Sequence, residues 1–266
     1  MAKDPYQIED LLHRRTDLST FVVHFTRGRT QDDARKNLLS ILTSGCLQAR
    51  NPFGMAPDEL MAKFPALRKS QRVVCFTETP LEHAWMMCRP IQGRAVELSG
   101  YGIAFTKAFA RKRGANPVWY IDITPGHHWP TNHVQKLIEF AENDALQEGS
   151  KRIDGEELAQ DPVFGLTPFW EQMGTNKVRK EFWWEREWRH VGDLKFQPSD
   201  VVVVFAPADD HPEIAEALFE HAEDLPQSRR QAFTRMRKYK LVDPEWGLDH
   251  IIGTLAGVED LGPFPS

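Results

Sequence analysis

The stretch Glu181-Phe182-Trp183-Trp184-Glu185-Arg186-Glu187-Trp188-Arg189-His190-Val191 carries the most information in the chain. Bulky aromatics at this density favour extended structure, and Phe182 to Val191 is predicted as a strand. Strand side chains alternate, so Trp183, Glu185, Glu187 and Arg189 are expected on one face, and Trp184, Arg186, Trp188 and His190 on the other. Carboxylates at i and i+2 then stand about 7 Å apart, within reach of one small ligand. Their repulsion favours keeping one protonated or pairing it with Arg189. Tryptophans on both faces imply that both are largely covered. Either Glu185 and Glu187 belong to an active site, or Glu187 neutralises Arg189 or Arg186 in a salt-bridged strand.

Working outward, Phe21 to Phe25, Arg72 to Thr77, Tyr101 to Phe105, Val118 to Ile123 and Val201 to Phe205 read as further strands. Asp32 to Thr43 spaces Ala34, Leu38, Leu39, Ile41 and Leu42 as an amphipathic helix ended by Gly45. Further helices are predicted at 5–15, 80–88, 106–113, 133–147, 212–222 and 228–239. Thr79 is the expected N-cap before Pro80 at the first helical position. Residues 48–70 and 148–168 read as loop-rich, and the tail from Asp243 as weakly amphipathic. With no repeat, low-complexity segment or linker, the expectation is one α+β domain over 1–266, with a core at about 18–206 and a helical extension at 207–266.

Hydrophobic residues are 41% and charged residues 27% of 266, enough to bury a full core. The formal charge of -5 supplies no overall basic field, so a nucleic-acid partner would need local patches. Cys46, Cys75 and Cys88 form no CxxC and read as reduced thiols of a cytoplasmic protein. No apolar run approaches the roughly 20 residues that span a bilayer, and the first residues show no secretory pattern.

Several residues admit a functional and a structural reading. His24 ends a strand and either bonds a ribose hydroxyl or carbonyl, with Thr26 assisting, or is a satisfied structural histidine. Tyr101 either stacks on a base or closes the core edge. His127, His128 and His133 lack metal-ligand spacing, so no metal is expected, which also counts against a metal-dependent nuclease. Neither GxGxxG, a Walker loop nor GxSxG occurs, and Cys75 and Cys88 carry no activating signature.

Taken in order, His24-Phe25-Thr26, Cys75-Phe76-Thr77-Glu78, Tyr101 with Phe105, and Glu185-x-Glu187 resemble the ADP-ribosyltransferase pattern. The opening motif, with the helix from Asn37 to Gly45, also resembles the DNA-modifying DarT toxins. The fuller run, adding Tyr101-Gly102-Ile103-Ala104-Phe105 and Trp184-Glu185-Arg186-Glu187-Trp188-Arg189, is similar to the AbiGi abortive-infection group of phage-resistance proteins over roughly 20–205. Members of that group have been labelled antitoxins.

The transferase resemblance implies a split mixed and antiparallel sheet core with surrounding helices, and NAD as co-substrate. It places His24, Phe25, Thr26, Thr77, Tyr101 and Phe105 around NAD, with Thr77 standing where a Ser-Thr-Ser would fall. Glu187 would hold the ribose 2′-hydroxyl and stabilise an oxocarbenium ion, and Glu185 would orient the nucleophile. Phe169 to Gly174 falls where the target-recognition loop would lie. There Trp170, Lys177, Arg179 and Lys180 would meet a nucleic-acid acceptor, or Lys177, Arg179 and Lys180 form a solvated basic turn. The resemblance thus implies a toxin that modifies RNA or DNA bases and is restrained by a neutralising partner. The alternatives are a protein acceptor, or a non-catalytic antitoxin or interaction protein that kept the fold.

Overall fold

Runs of β-branched and aromatic residues extend because their side chains pack well on a pleated, covered surface. Phe21–Phe25, Arg72–Thr77 and Val201–Phe205 form strands with the bounds that their sequences suggest. A computed structural model describes residues 17–91, 94, 96–146, 152–176, 179–223 and 239–257. The helix expected at 5–15, nearly all of that at 228–239, and Lys177 lie outside these residues. The architecture is α+β, with mixed sheets and helices. The chain divides into two compact units, residues 1–45, 77–109 and 196–266, and residues 46–76 and 110–195.

In the first unit the strands run in the order Leu241–Val242, Val201–Phe205, Gly102–Thr106 and Phe21–Phe25. The first pair is parallel and the others antiparallel, with His24 opposite Ile103 and Phe25 opposite Gly102. Val22, Val23, Ile103, Phe105, Val203, Val204 and Phe205 are all buried, so this sheet is covered on both faces. The stretch expected as a helical extension therefore also supplies a strand, Leu241–Val242.

Helix Gln31–Ser44 begins where the Thr30 hydroxyl accepts the Asp33 N–H at 3.1 Å. It buries Ala34, Leu38 and Leu42, and ends at Gly45, whose φ of 63° is open to glycine at little steric cost. Helix His211–Glu223 buries Ile214, Leu218 and Ala222 and packs against it. Thr79 does not cap the next helix. Its hydroxyl turns back to that of Thr77 at 2.7 Å, and a 3₁₀ turn, Leu81–His83, leads into Ala84–Met87.

In the second unit, strand Arg72–Thr77, whose last residue falls in the first unit, has Asn51–Pro52 and Glu187–Val191 as neighbours, and Glu187–Val191 pairs antiparallel with Asn116–Pro117. A separate sheet sets Trp170–Thr175 between Trp119–Asp122, parallel, and Arg179–Lys180, antiparallel. Leu67, Ile121, Val134, Ile138, Leu158, Phe164 and Trp170 build the core. Helices Gly155–Gln160 and Pro162–Leu166 occupy a stretch read as irregular. Asp154 caps the first through Glu156 N–H and Glu157 N–H, and Asp161 caps the second through Val163 N–H. Helix Trp129–Asp144 starts a turn earlier than expected, with Pro130 in its first turn.

The decisive stretch is not one strand. Trp183–Glu185 forms a 3₁₀ turn, Arg186 adopts φ 49°, and only Glu187–Val191 is extended. The left-handed residue breaks the alternation, so Glu185 does not share a strand face with Glu187.

Candidate functional site

Strand Glu187–Val191 puts Glu187 and Arg189 on one face, two residues apart. The Arg189 side chain is buried, and each of its donor nitrogens finds an acceptor. Nε donates to Glu187 Oε1 at 3.0 Å and Nη2 to Glu187 Oε2 at 2.9 Å. Nη2 also donates to Glu171 Oε2 at 2.7 Å, and Nη1 to the Pro168 carbonyl at 2.8 Å. The guanidinium lies 5.5 Å from the centre of the Phe53 ring. Burial by itself would lower the Arg189 pKa, but the charge of Glu187, with smaller effects from Cys75 and Glu171, holds it above its ordinary value. Tyr120 is likewise raised, first by burial and then by the charges of Glu187 and Glu185.

A bidentate fork of this kind fixes a carboxylate in position and charge. The salt bridge that the sequence allows is present, with Arg189 as the partner of Glu187. Glu171 is the member that the sequence reading missed. Its signal lay in Trp170–Thr175 being a strand, because a strand brings Glu171 beside residues far along the chain.

The residues expected around NAD lie in the other unit. Phe25 is buried, with its ring 5.7 Å from that of Phe205. Phe105 is fully buried, its ring 5.1 Å from Phe109 and 5.2 Å from Phe196. The Thr26 hydroxyl sits between the Ala34 and Tyr101 carbonyls, at 3.2 and 3.1 Å, and 3.0 Å from the Ser99 hydroxyl. Tyr101 is buried and donates its hydroxyl to the Asp210 carboxylate. Burial first, and then Asp210, raises its pKa. These side chains serve packing and internal hydrogen bonds, where a stacking platform would need an open ring face. His24 is half-buried, and Thr77 is buried against Thr79. Glu78 of the same motif is buried and paired with Lys107 Nζ at 2.7 Å.

Of the expected target-recognition residues, Trp170, Arg179 and Lys180 are in strands. Trp170 is a core residue in a strand, with its ring edge-on to Trp119 at 6.1 Å. Arg179 and Lys180 are exposed on the short strand opposite Thr175 and Gly174. Among the described residues no three His, Cys, Asp or Glu side chains are grouped to hold a metal ion, and no helix is long and apolar enough to cross a membrane.

A family model described as "Putative abortive phage resistance protein AbiGi, antitoxin" matches residues 41–225, well over half of the chain. No curated protein and no solved structure matches it. The match corrects the expectation of an NAD-dependent transferase, since an antitoxin family points to a role without enzymatic turnover. It bears out the likeness to abortive-infection proteins, and the chain belongs to the AbiGi family of abortive phage-resistance proteins.

Proposed function

We propose that the chain is the antitoxin of an abortive-infection pair, a protein that binds a toxin and restrains it by contact. The observation that carries this reading is the match to an antitoxin family over residues 41–225. The Glu187–Arg189 fork, in which both carboxylate oxygens bond one buried guanidinium, is in keeping with a structural role for that glutamate. On this account the transferase-like framework implied by the motifs is a scaffold, and Phe25, Thr26, Tyr101 and Phe105 stabilise it. The partner proposed is a protein rather than a nucleic acid.

Co-expression with the toxin of the same phage-resistance locus tests the proposal. The expected result is that the chain alone leaves growth unchanged and that adding it relieves toxin-dependent arrest in proportion to its amount. Growth arrest by this chain alone, or arrest that it never relieves, would overturn the proposal.

A further inference from the structure

Helix Trp129–Asp144 is apolar on two sides. One side, with Val134, Ile138 and Ala141, is buried in the core of its unit. The other carries Trp129, Leu137 and Phe140 at 70%, 47% and 62% exposure. With His133, whose ring meets Trp129 edge-on at 6.0 Å, they follow one another at i, i+4, i+8 and i+11. That spacing makes a single stripe about 16 Å long, three turns of helix. A surface helix normally presents polar residues on its solvent side, and contiguous apolar surface of this kind marks an interaction site.

One turn beyond Phe140 the stripe runs into a cleft of about 230 Å³ lined by Ala141, Asp144, Ala145, Glu157, Gln160 and Asp161. Three of these six residues are carboxylates and none is basic. Asp161 spends one oxygen on the Val163 N–H, which leaves its second oxygen with Asp144 and Glu157 around the alanine floor. Such a cleft complements a lysine or arginine whose alkyl stem lies on the alanines. Both stripe and cleft fall inside the stretch that matches the antitoxin family.

We infer that this combined surface is where the toxin docks, an inference that rests on the antitoxin reading above. The occupant is an amphipathic segment of the toxin about three turns long. Its apolar side chains cover Trp129, Leu137 and Phe140, and a basic side chain one turn further on enters the Asp144–Glu157–Asp161 cleft. This is recognition of an apolar helical face by helical anchors, with the charge fixing the register.

The test measures the affinity of the purified toxin for the chain and three variants, each checked for an unchanged melting profile. Leu137→Glu/Phe140→Asp should weaken binding about 30-fold or more, the loss expected on removing interface anchors. Asp144→Lys/Glu157→Lys should weaken it about tenfold. Ile252→Asp, at an exposed apolar position of the other unit, should bind like the unsubstituted chain. A 16-residue amphipathic peptide with leucines on one face and a terminal lysine should bind at least about tenfold tighter than its glutamate twin. If the unsubstituted chain binds the toxin and the stripe variant binds it equally well, the docking surface is wrong while the antitoxin reading stands. Equal binding by the charge-reversed variant, or by both peptides, overturns the basic anchor and the proposal with it. A toxin that never binds the unsubstituted chain sinks both readings. A chain that is dimeric alone, and is dissociated by the stripe substitutions with toxin binding untouched, shows that a second copy occupies the stripe.

Discussion

Arg189 holds the Glu187–Val191 strand to two other parts of its unit, because one guanidinium joins Glu187, Glu171 and the Pro168 carbonyl. Arg189→Met should therefore cost about 3 kcal/mol in urea unfolding, since two carboxylates lose their shared counter-charge. Replacing all three members together with apolar residues should cost far less, because no charge is then stranded. Equal stability of Arg189→Met and the unsubstituted protein would remove the structural role assigned to the fork. Gly174 is a second sensitive position. Its φ is 101°, and an added Cβ would stand 2.3 Å from Asp122 Oδ1 and 2.4 Å from Thr124 Oγ1. Gly174→Ala should lower stability by about 1–3 kcal/mol, readable as a drop in Tm. The pairing of Glu187 with Arg189 was legible in the sequence as one of two readings of the strand. What was not legible was Glu171, whose place depends on which strands become neighbours.

Among the elements, helix Gln31–Ser44 ends at Gly45 as read, while its start is set by Thr30, a cap that the sequence reading did not name. Thr30→Ala should cost about 1 kcal/mol by equilibrium unfolding, through loss of the bond to the Asp33 N–H. Phe21–Phe25, Arg72–Thr77 and Val201–Phe205 were legible because buried strands need continuous β-branched and aromatic runs. Phe182 to Val191 misled because its charge alternation continues through Arg186, where the backbone turns left-handed without a glycine or asparagine to announce it. Trp170–Thr175 was missed for a different reason. Its Trp-Glu-Gln-Met-Gly-Thr sequence has little strand propensity, and parallel pairing with Trp119–Asp122 sets its conformation. The exposed stripe of Trp129–Asp144 was hidden by starting that helix at His133, although Pro130 marks the earlier start.

For the whole molecule, alkaline pH is the condition that bears on most of these buried groups at once. Burial, and then the charge of Glu245, pushes the Cys88 thiol from about 9 up to about 12. Tyr101, Tyr120 and Tyr239 are raised as well, each chiefly by burial. A raised folded-state pKa means that the unfolded chain releases its protons first as pH rises. The stability held by these groups is thus present in full below about pH 9 and declines as pH climbs towards 12. The urea midpoint should fall with pH over that window, and Cys88→Ala should make the fall shallower. A midpoint that stays level to pH 11 would contradict this linkage.

The central claim is that the chain restrains a toxin by contact and that Glu187 serves structure. The most direct measurement is relief of growth arrest by the Glu187→Gln variant, compared with the unsubstituted chain at equal abundance and with folding verified by circular dichroism. The account predicts that the folded variant relieves arrest as well as the unsubstituted chain does. A folded variant that has lost the ability would contradict it, because Glu187 would then do something other than hold the strand.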